Sequence, residues 1–453
     1  MLSCLTEYYR CPDEHLKFVT TGPLSARRGY FQFGKHTICY GSYVGREASA
    51  HAHDGLVNAL GDIEFKNGTV YLPFDPAEVV ANLRFEAYAA NWREKFPMSA
   101  LAAIYYFLRP ALPVHIRRHL QEFHFRGWQN LEFPRWPVDC SVDNLLAQLL
   151  SLSLKTSGLK RIPFIWFWPQ GATSCAIMTH DVETRLGCDF CKTQMDTDDS
   201  FGIKASFQVV PEQRYSVTSE FLDSIRDRGF EIVVHDLNHD GHLYRSRKQF
   251  INRAVKINSY AAAYSAEGFR AASLYRKQLW YDALDFSYDM SIPNVAHLDP
   301  QRGGCCTVMP YFIGKILELP VTTTQDYTLF NILNDFSIEL WKQQMEIIME
   351  KHGLISFIVH PDYIIKPKQR RIYEALLGCL CCLQEEGGVW IATPGEACRW
   401  WRQRAEMRLL AGPDGWQIEG RGSERACLAY AILDGDQLKY EVDRVLAGNR
   451  MVR

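Results

Sequence analysis

The sequence predicts an α/β protein with a mainly parallel sheet or a (β/α) barrel, incomplete at about seven strands. Three observations lead there. From about Pro163 onward, short apolar runs alternate with longer amphipathic ones, the pattern of strands and helices taken in turn. Gly229 and Gly353 stand where two of those helices should end, because glycine accepts the left-handed conformation that closes a helix. Several apolar runs end in carboxylates, imidazoles or arginine, and in α/β folds side chains converge at the carboxyl ends of the strands. Seven strand-like runs suit an incomplete barrel better than a full eightfold one.

In chain order, residues 1–160 read as a mixed α+β region to which the sequence assigns no function. Its early part holds the strand-like runs "GYFQFG", "TICYGSYVG" and "NGTVYLPF". From about Pro76 the pattern is helical, with breaks at Pro97, Pro110 and Pro113, and "FPRWPVD" (133–139) is a proline-punctuated connector. The run "MSALAAIYYFL" (98–108) is too short to span a bilayer and reads as a buried helix. The basic "PVHIRRHL" that follows keeps peripheral membrane contact as the alternative. Residues 161–400 carry the barrel. Strands are expected over 174–179, 204–210, 230–234, 268–271, 316–319, 354–360 and 389–392, and helices over 218–228, 246–266, 277–284, 335–352 and 367–386. In residues 401–453 a turn, "AGPDGW", precedes "ACLAYAIL" and "LKYEVD", which predicts a short β appendage.

Apolar residues make up 47% of the 453 positions, enough for a large core. Fifty Lys and Arg face fifty-two Asp and Glu with no long basic run, so no nucleic-acid partner is expected, since phosphate binding needs concentrated positive charge. "MLSCLTEYYR" has no positive leader before an apolar stretch, so no signal peptide is expected. The fourteen cysteines then read as reduced thiols in the cytoplasm. Cys188 and Cys191 form a C-x-x-C without a second pair. They read as neighbours on one helical turn rather than as zinc ligands.

The chemistry gathers at four strand ends. "CAIMTHDVET" (175–184) starts as a buried strand and delivers Asp181 and Glu183. "FEIVV" leads into His235-Asp-Leu-Asn-His239, "GFRA" supplies Arg270, and "LISFIV" runs into His360-Pro-Asp362. Histidines four apart on a helix or tight turn share a face and can grip one metal ion. Glu183 can supply a third ligand, and two His with one carboxylate leave positions open for water and substrate. Asp181 lies two residues from Glu183, on the same side of an extended chain, where it can accept the proton of a water molecule. Arg270 can keep Asp181 ionised, and His360 can protonate a departing amine. Asp362 reads equally as a histidine orienter or a loop carboxylate. His242, His297, the His51/His53 pair and Asp198/Asp199 have no such placement.

Together these segments resemble the polysaccharide deacetylases of carbohydrate esterase family four. "THDVE", "HDLNH", "FRAAS", "SYDMSIPN" and "FIVHPD" are similar to its motifs, in the family's order, over roughly residues 163–400. The resemblance implies a distorted, incomplete (β/α) barrel and a divalent metal, zinc first, with cobalt, nickel or iron as alternatives. It implies Glu183, His235 and His239 as metal ligands, Asp181 as base, Arg270 as its partner and His360 as acid. It adds Asp289 as a support for His360 or the barrel, and a backbone N–H near Ser273 as an oxyanion donor. The sequence departs from the family at Val182, which separates two carboxylates that are usually adjacent, and at Ala272 and Ser273, where proline and an aromatic residue are usual.

The expected function is removal of acetyl groups, chiefly N-acetyl, from an amino sugar in a glycan or its precursor, a cytoplasmic exopolysaccharide intermediate fitting best. Two other classes compete. A catalytically silent glycan-binding module on the same fold would need neither Asp181 nor His360. A zinc peptidase would need its His-x-x-x-His on a continuous helix, whereas "FEIVV" directly precedes His235.

Overall fold

The computed structural model describes residues 3–52, 55–89, 125, 127–413 and 415–443; the apolar run 98–108 lies outside them. The N-terminal region forms a three-stranded sheet from β1 (Phe18–Thr20), β4 (Glu64–Lys66) and β5 (Thr69–Leu72), and a strand pair, β2 (Gly29–Gln32) with β3 (Ile38–Gly41). Helices α1 (Ser3–Tyr9), α2 (Pro76–Arg84) and α3 (Ser141–Ser157) accompany them, and β6 (Arg161–Ile165) leads toward the barrel.

Among the described residues the barrel sheet has nine strands: β7 (Ser174–Val182), β8 (Ser206–Val209), β9 (Glu231–His235), β10 (Gly268–Arg270), β11 (Tyr288–Asp289), β12 (Tyr311–Ile313), β13 (Ile316–Glu318), β14 (Leu354–Ile358) and β15 (Val389–Ala392). Their order is β12-β13-β11-β10-β9-β8-β7-β14, with β15 on the first half of β7. Among the described strands of this sheet only the β12–β13 pair is antiparallel. Helices α4 (Arg185–Ser200), α5 (Ser219–Arg226), α6 (Arg247–Ala263), α7 (Glu339–Glu350), α8 (Pro367–Glu385) and α9 (Pro394–Glu406) alternate with the strands. Between β13 and β14 side chains take over the ladder. Thr322 Oγ1 donates to Leu354 O at 2.7 Å and accepts from Ser356 N at 2.9 Å.

All seven expected strands are present. β11 and β12 are additional, and at two and three residues they are too short to show an alternation. The expected helix over 277–284 is a 3-10 segment, Gln278–Ala283. Gly229 takes a φ of +75° after α5, as a helix stop should. Gly353 does not: His352 before it holds the left-handed conformation, at φ +57°. Gly353 is needed for space, since a Cβ there would lie 2.6 Å from Val308 Cγ2.

Residues along β7 alternate in direction with a period of two. Cys175 and Ile177 face the barrel interior, in one core with Val233, Tyr288, Leu317 and Leu354. Ala176, Met178 and Val182 face the outer helices. Thr179 and Asp181 therefore continue the inward row, and Glu183 follows where the strand ends. Thr184 stops the strand by capping α4, its hydroxyl accepting from Gly187 N at 3.0 Å.

The appendage comprises β16 (Arg408–Gly412), β17 (Gly415–Glu419), β18 (Leu428–Asp434) and β19 (Gln437–Asp443). β18 pairs with β6, so residues 161–165 share a sheet with the C-terminal strands rather than with the barrel. Buried Arg404 donates to Tyr8 O, Ile165 O and Trp166 O, and one apolar core includes residues of all three parts.

The N-terminal region also reaches toward the strand ends through a buried ion pair, Glu86 with Arg276. Arg276 Nε donates to Glu86 Oε2 at 2.8 Å and its Nη1 to Leu274 O at 2.9 Å. Replacing Glu86 with Ala leaves the guanidinium buried without its counterion. The expected loss is about 3–5 kcal/mol, read as a lower denaturation midpoint; an unchanged midpoint would show that the pair contributes nothing.

Candidate active site

Four strand ends meet at one point. Arg270, the last residue of β10 and fully buried, donates from Nη1 to Asp181 Oδ1 at 2.6 Å and to Thr179 Oγ1 at 2.8 Å. Its Nε donates to Met290 O at 2.9 Å. His235 ends β9. The chain then turns through Asp236 and His239, both left-handed at φ +56° and +55°. The two imidazoles thus come together, centroids 4.9 Å apart, on a tight loop. This removes the continuous helix that a zinc peptidase motif requires.

Glu183 Oε1 lies 2.7 Å from His239 Nε2, 3.7 Å from His235 Nε2 and 3.5 Å from His360 Nε2. Asp181 Oδ2 stands 3.8 Å from His235 Nε2. Among the described residues, two overlapping groups have ligand atoms within 4.8 Å of one another: Glu183 with His235 and His239, and Asp181 with Glu183 and His360.

The donor set fits a divalent cation. Among the described residues, His235 Nε2 and His239 Nε2 are buried and have no hydrogen-bond acceptor. His239 Nε2 is close to the Glu183 carboxylate but off the line of an N–H bond, so nitrogen and oxygen converge on a third point. The outer nitrogen of His235 faces Arg270 O at 3.1 Å. A carbonyl only accepts, so Nδ1 carries the proton and Nε2 offers a lone pair, as a ligating histidine needs.

The sequence reading missed Asp326. This fully buried carboxylate follows the Thr322–Thr324 crossing. It accepts from His360 N at 2.8 Å and lies 2.6 Å from His360 Nδ1. Asp289 does not support His360; it accepts from Tyr281 and from the backbone and hydroxyl of Ser291. Asp362 orients no histidine either, but accepts from Thr184 Oγ1 at 3.2 Å. Ser273 is half-buried at φ +53° in the turn after β10. His180 faces away from the site, toward Asp198 at 2.9 Å. Aromatic walls stand close: the Tyr363 ring lies 4.9 Å from His360 and the Tyr327 ring 5.4 Å from Tyr363.

The electrostatics separate acids from bases. Burial pushes the Asp181 carboxyl up, but Arg270, then His235 and His360, hold it below the usual carboxylate range. Burial likewise opposes ionised Glu183, and His239 with its neighbouring imidazoles brings it well below. Burial disfavours the His360 cation, but the Asp326 carboxylate raises it well above the ordinary histidine value. These directions favour ionised Asp181 and Glu183 beside a protonated His360.

No known family's sequence model matches the chain, and no curated protein matches it. Solved structures do. A Mycobacterium smegmatis chain assigned as a polysaccharide deacetylase is 18% identical, over 55% of this chain and 97% of that one, with a TM-score of 0.42. The allantoinase Puue is 13% identical, over 52% and 92%, with a TM-score of 0.42. A family 4 acetyl xylan esterase from Clostridium thermocellum, in complex with a cobalt ion, is 16% identical, over 50% and 91%, with a TM-score of 0.32. Polysaccharide deacetylases, the family that the sequence motifs resemble, are thus among the solved structures to which this chain is similar.

Proposed function

We propose that this chain is a metal-dependent hydrolase that removes acetyl groups, chiefly N-acetyl, from an amino sugar within a glycan or its precursor. The observation that carries the reading is the convergence of Asp181, Glu183, His235, His239 and His360 on one point, with opposite proton affinities at Asp181 and His360. Glu183, His235 and His239 would hold the metal, with zinc the first expectation and cobalt, nickel or iron the alternatives. When bound there, a divalent cation polarises the acetyl carbonyl and makes water a stronger acid.

The chain's own groups supply the proton transfers. Arg270 occupies Asp181 Oδ1, which leaves Oδ2 to take the proton of the attacking water. Asp326 accepts the Nδ1 proton of His360 and turns Nε2 toward the site, where it can protonate the departing nitrogen. A backbone N–H near Ser273 is assigned to the carbonyl oxygen as it gains charge. Tyr363 and Tyr327 form a wall on which a sugar ring can lie. Asp289 keeps the barrel interior in order rather than touching substrate.

No helix among the described residues is long and apolar enough to cross a membrane. Most of the cysteines are buried free thiols, which supports a cytoplasmic glycan precursor as the substrate. The test loads the purified protein with zinc, cobalt, nickel or iron and measures acetate release. The panel is acetylated chitooligosaccharides, acetyl xylan and peptidoglycan fragments. Acetate release from an amino sugar is the expected result. A loaded protein that binds these glycans but releases nothing would instead be the silent binding module.

A further inference from the structure

His235 and His239 differ on their outer nitrogens. That of His235 faces a carbonyl oxygen, whereas that of His239 lies 3.1 Å from Arg214 Nη2, which also donates to His239 O at 2.6 Å. A guanidinium has no lone pair to offer. Nδ1 of His239 must therefore accept, and the ring's proton belongs on Nε2, the atom nearest Glu183. A histidine in that form has no lone pair left for a cation at Nε2.

Arg214 is not a stray surface contact, although its side chain is exposed. Its loop is tied to both ligand-bearing segments. Tyr215 Oη donates to Val182 O at 2.7 Å, one residue before Glu183. Glu212 N donates to Leu237 O at 2.9 Å, midway between His235 and His239. The loop thus delivers the guanidinium to the outer side of one ligand.

We infer that Arg214 restrains metal loading: it holds His239 in the tautomer that cannot ligate, and a cation gains this third ligand only when Arg214 withdraws. This rests on reading Glu183, His235 and His239 as the ligand set. The opposite role is also concrete. If Arg214 served to pin a ligand loop through His239 O, removing it would weaken metal binding.

Zinc affinity, measured by chelator competition on the full chain and on Arg214→Leu, decides between them. The expected result is tighter binding in the variant by about tenfold or more, the scale on which partners of ligating histidines act. Equal or weaker binding in Arg214→Leu overturns the inference while leaving the ligand set intact. Absence of zinc or cobalt binding by both proteins overturns the ligand set itself. A second measurement needs no metal. Nitrogen NMR of histidine-labelled, metal-free protein should show His239 protonated on Nε2 and His235 on Nδ1, and a proton on Nδ1 of His239 would also overturn the inference.

Discussion

Asp181→Asn is expected to slow acetate release by about 10²–10⁴, or roughly 3–5 kcal/mol of barrier, while leaving metal content unchanged. The substitution keeps the shape and still lets one side-chain atom accept from Arg270. What it removes is the basic oxygen at Oδ2, on the side of His235. Glu183→Ala should behave differently. It removes the one carboxylate shared by both candidate ligand groups, so metal content should fall with activity. Measuring bound metal and acetate release on both variants separates the two roles. A site emptied by Asp181→Asn and still filled in Glu183→Ala would reverse the assignment, with Asp181 as the ligand.

Asp326→Asn is the second large effect, and its signature is a change in pH dependence. Burial works against the His360 cation, and Asp326 is the main group that raises its proton affinity. Protonation of the leaving nitrogen needs the cationic ring, so wild-type activity should persist below the raised value and fall as pH rises through it. Without the carboxylate the His360 value drops and the alkaline limb moves to lower pH. At alkaline pH the loss should approach the about 10²–10⁴ of a missing general acid, and at acid pH it should be much smaller. Parallel profiles with the limb unmoved would show that His360 does not supply the proton. His360→Ala should give the same loss without pH recovery, with metal retained.

What the sequence by itself determined is the local grammar of this protein and the chemistry at its strand ends. Apolar runs followed by Asp181, His235, Arg270 and His360 are legible because a strand's direction, its two faces and its terminus are properties of a few consecutive residues. Glu183 was legible for the same reason, two positions beyond Asp181 on an extended chain. Tertiary structure alone decided which side chains complete those groups. Asp326 comes from a loop 34 positions from His360, and no periodicity marks it. Asp289, inside the motif-like segment 287–294, turns instead to Ser291 and Tyr281. Arg214 gains meaning only because its loop is anchored at Val182 and Leu237. The boundary near residue 160 likewise depends on β18 pairing with β6, a contact between distant segments. A hydrogen-bond partner is chosen by where the folded chain brings a donor and an acceptor together, and that placement is fixed by the packing of the whole sheet rather than by the residues next door.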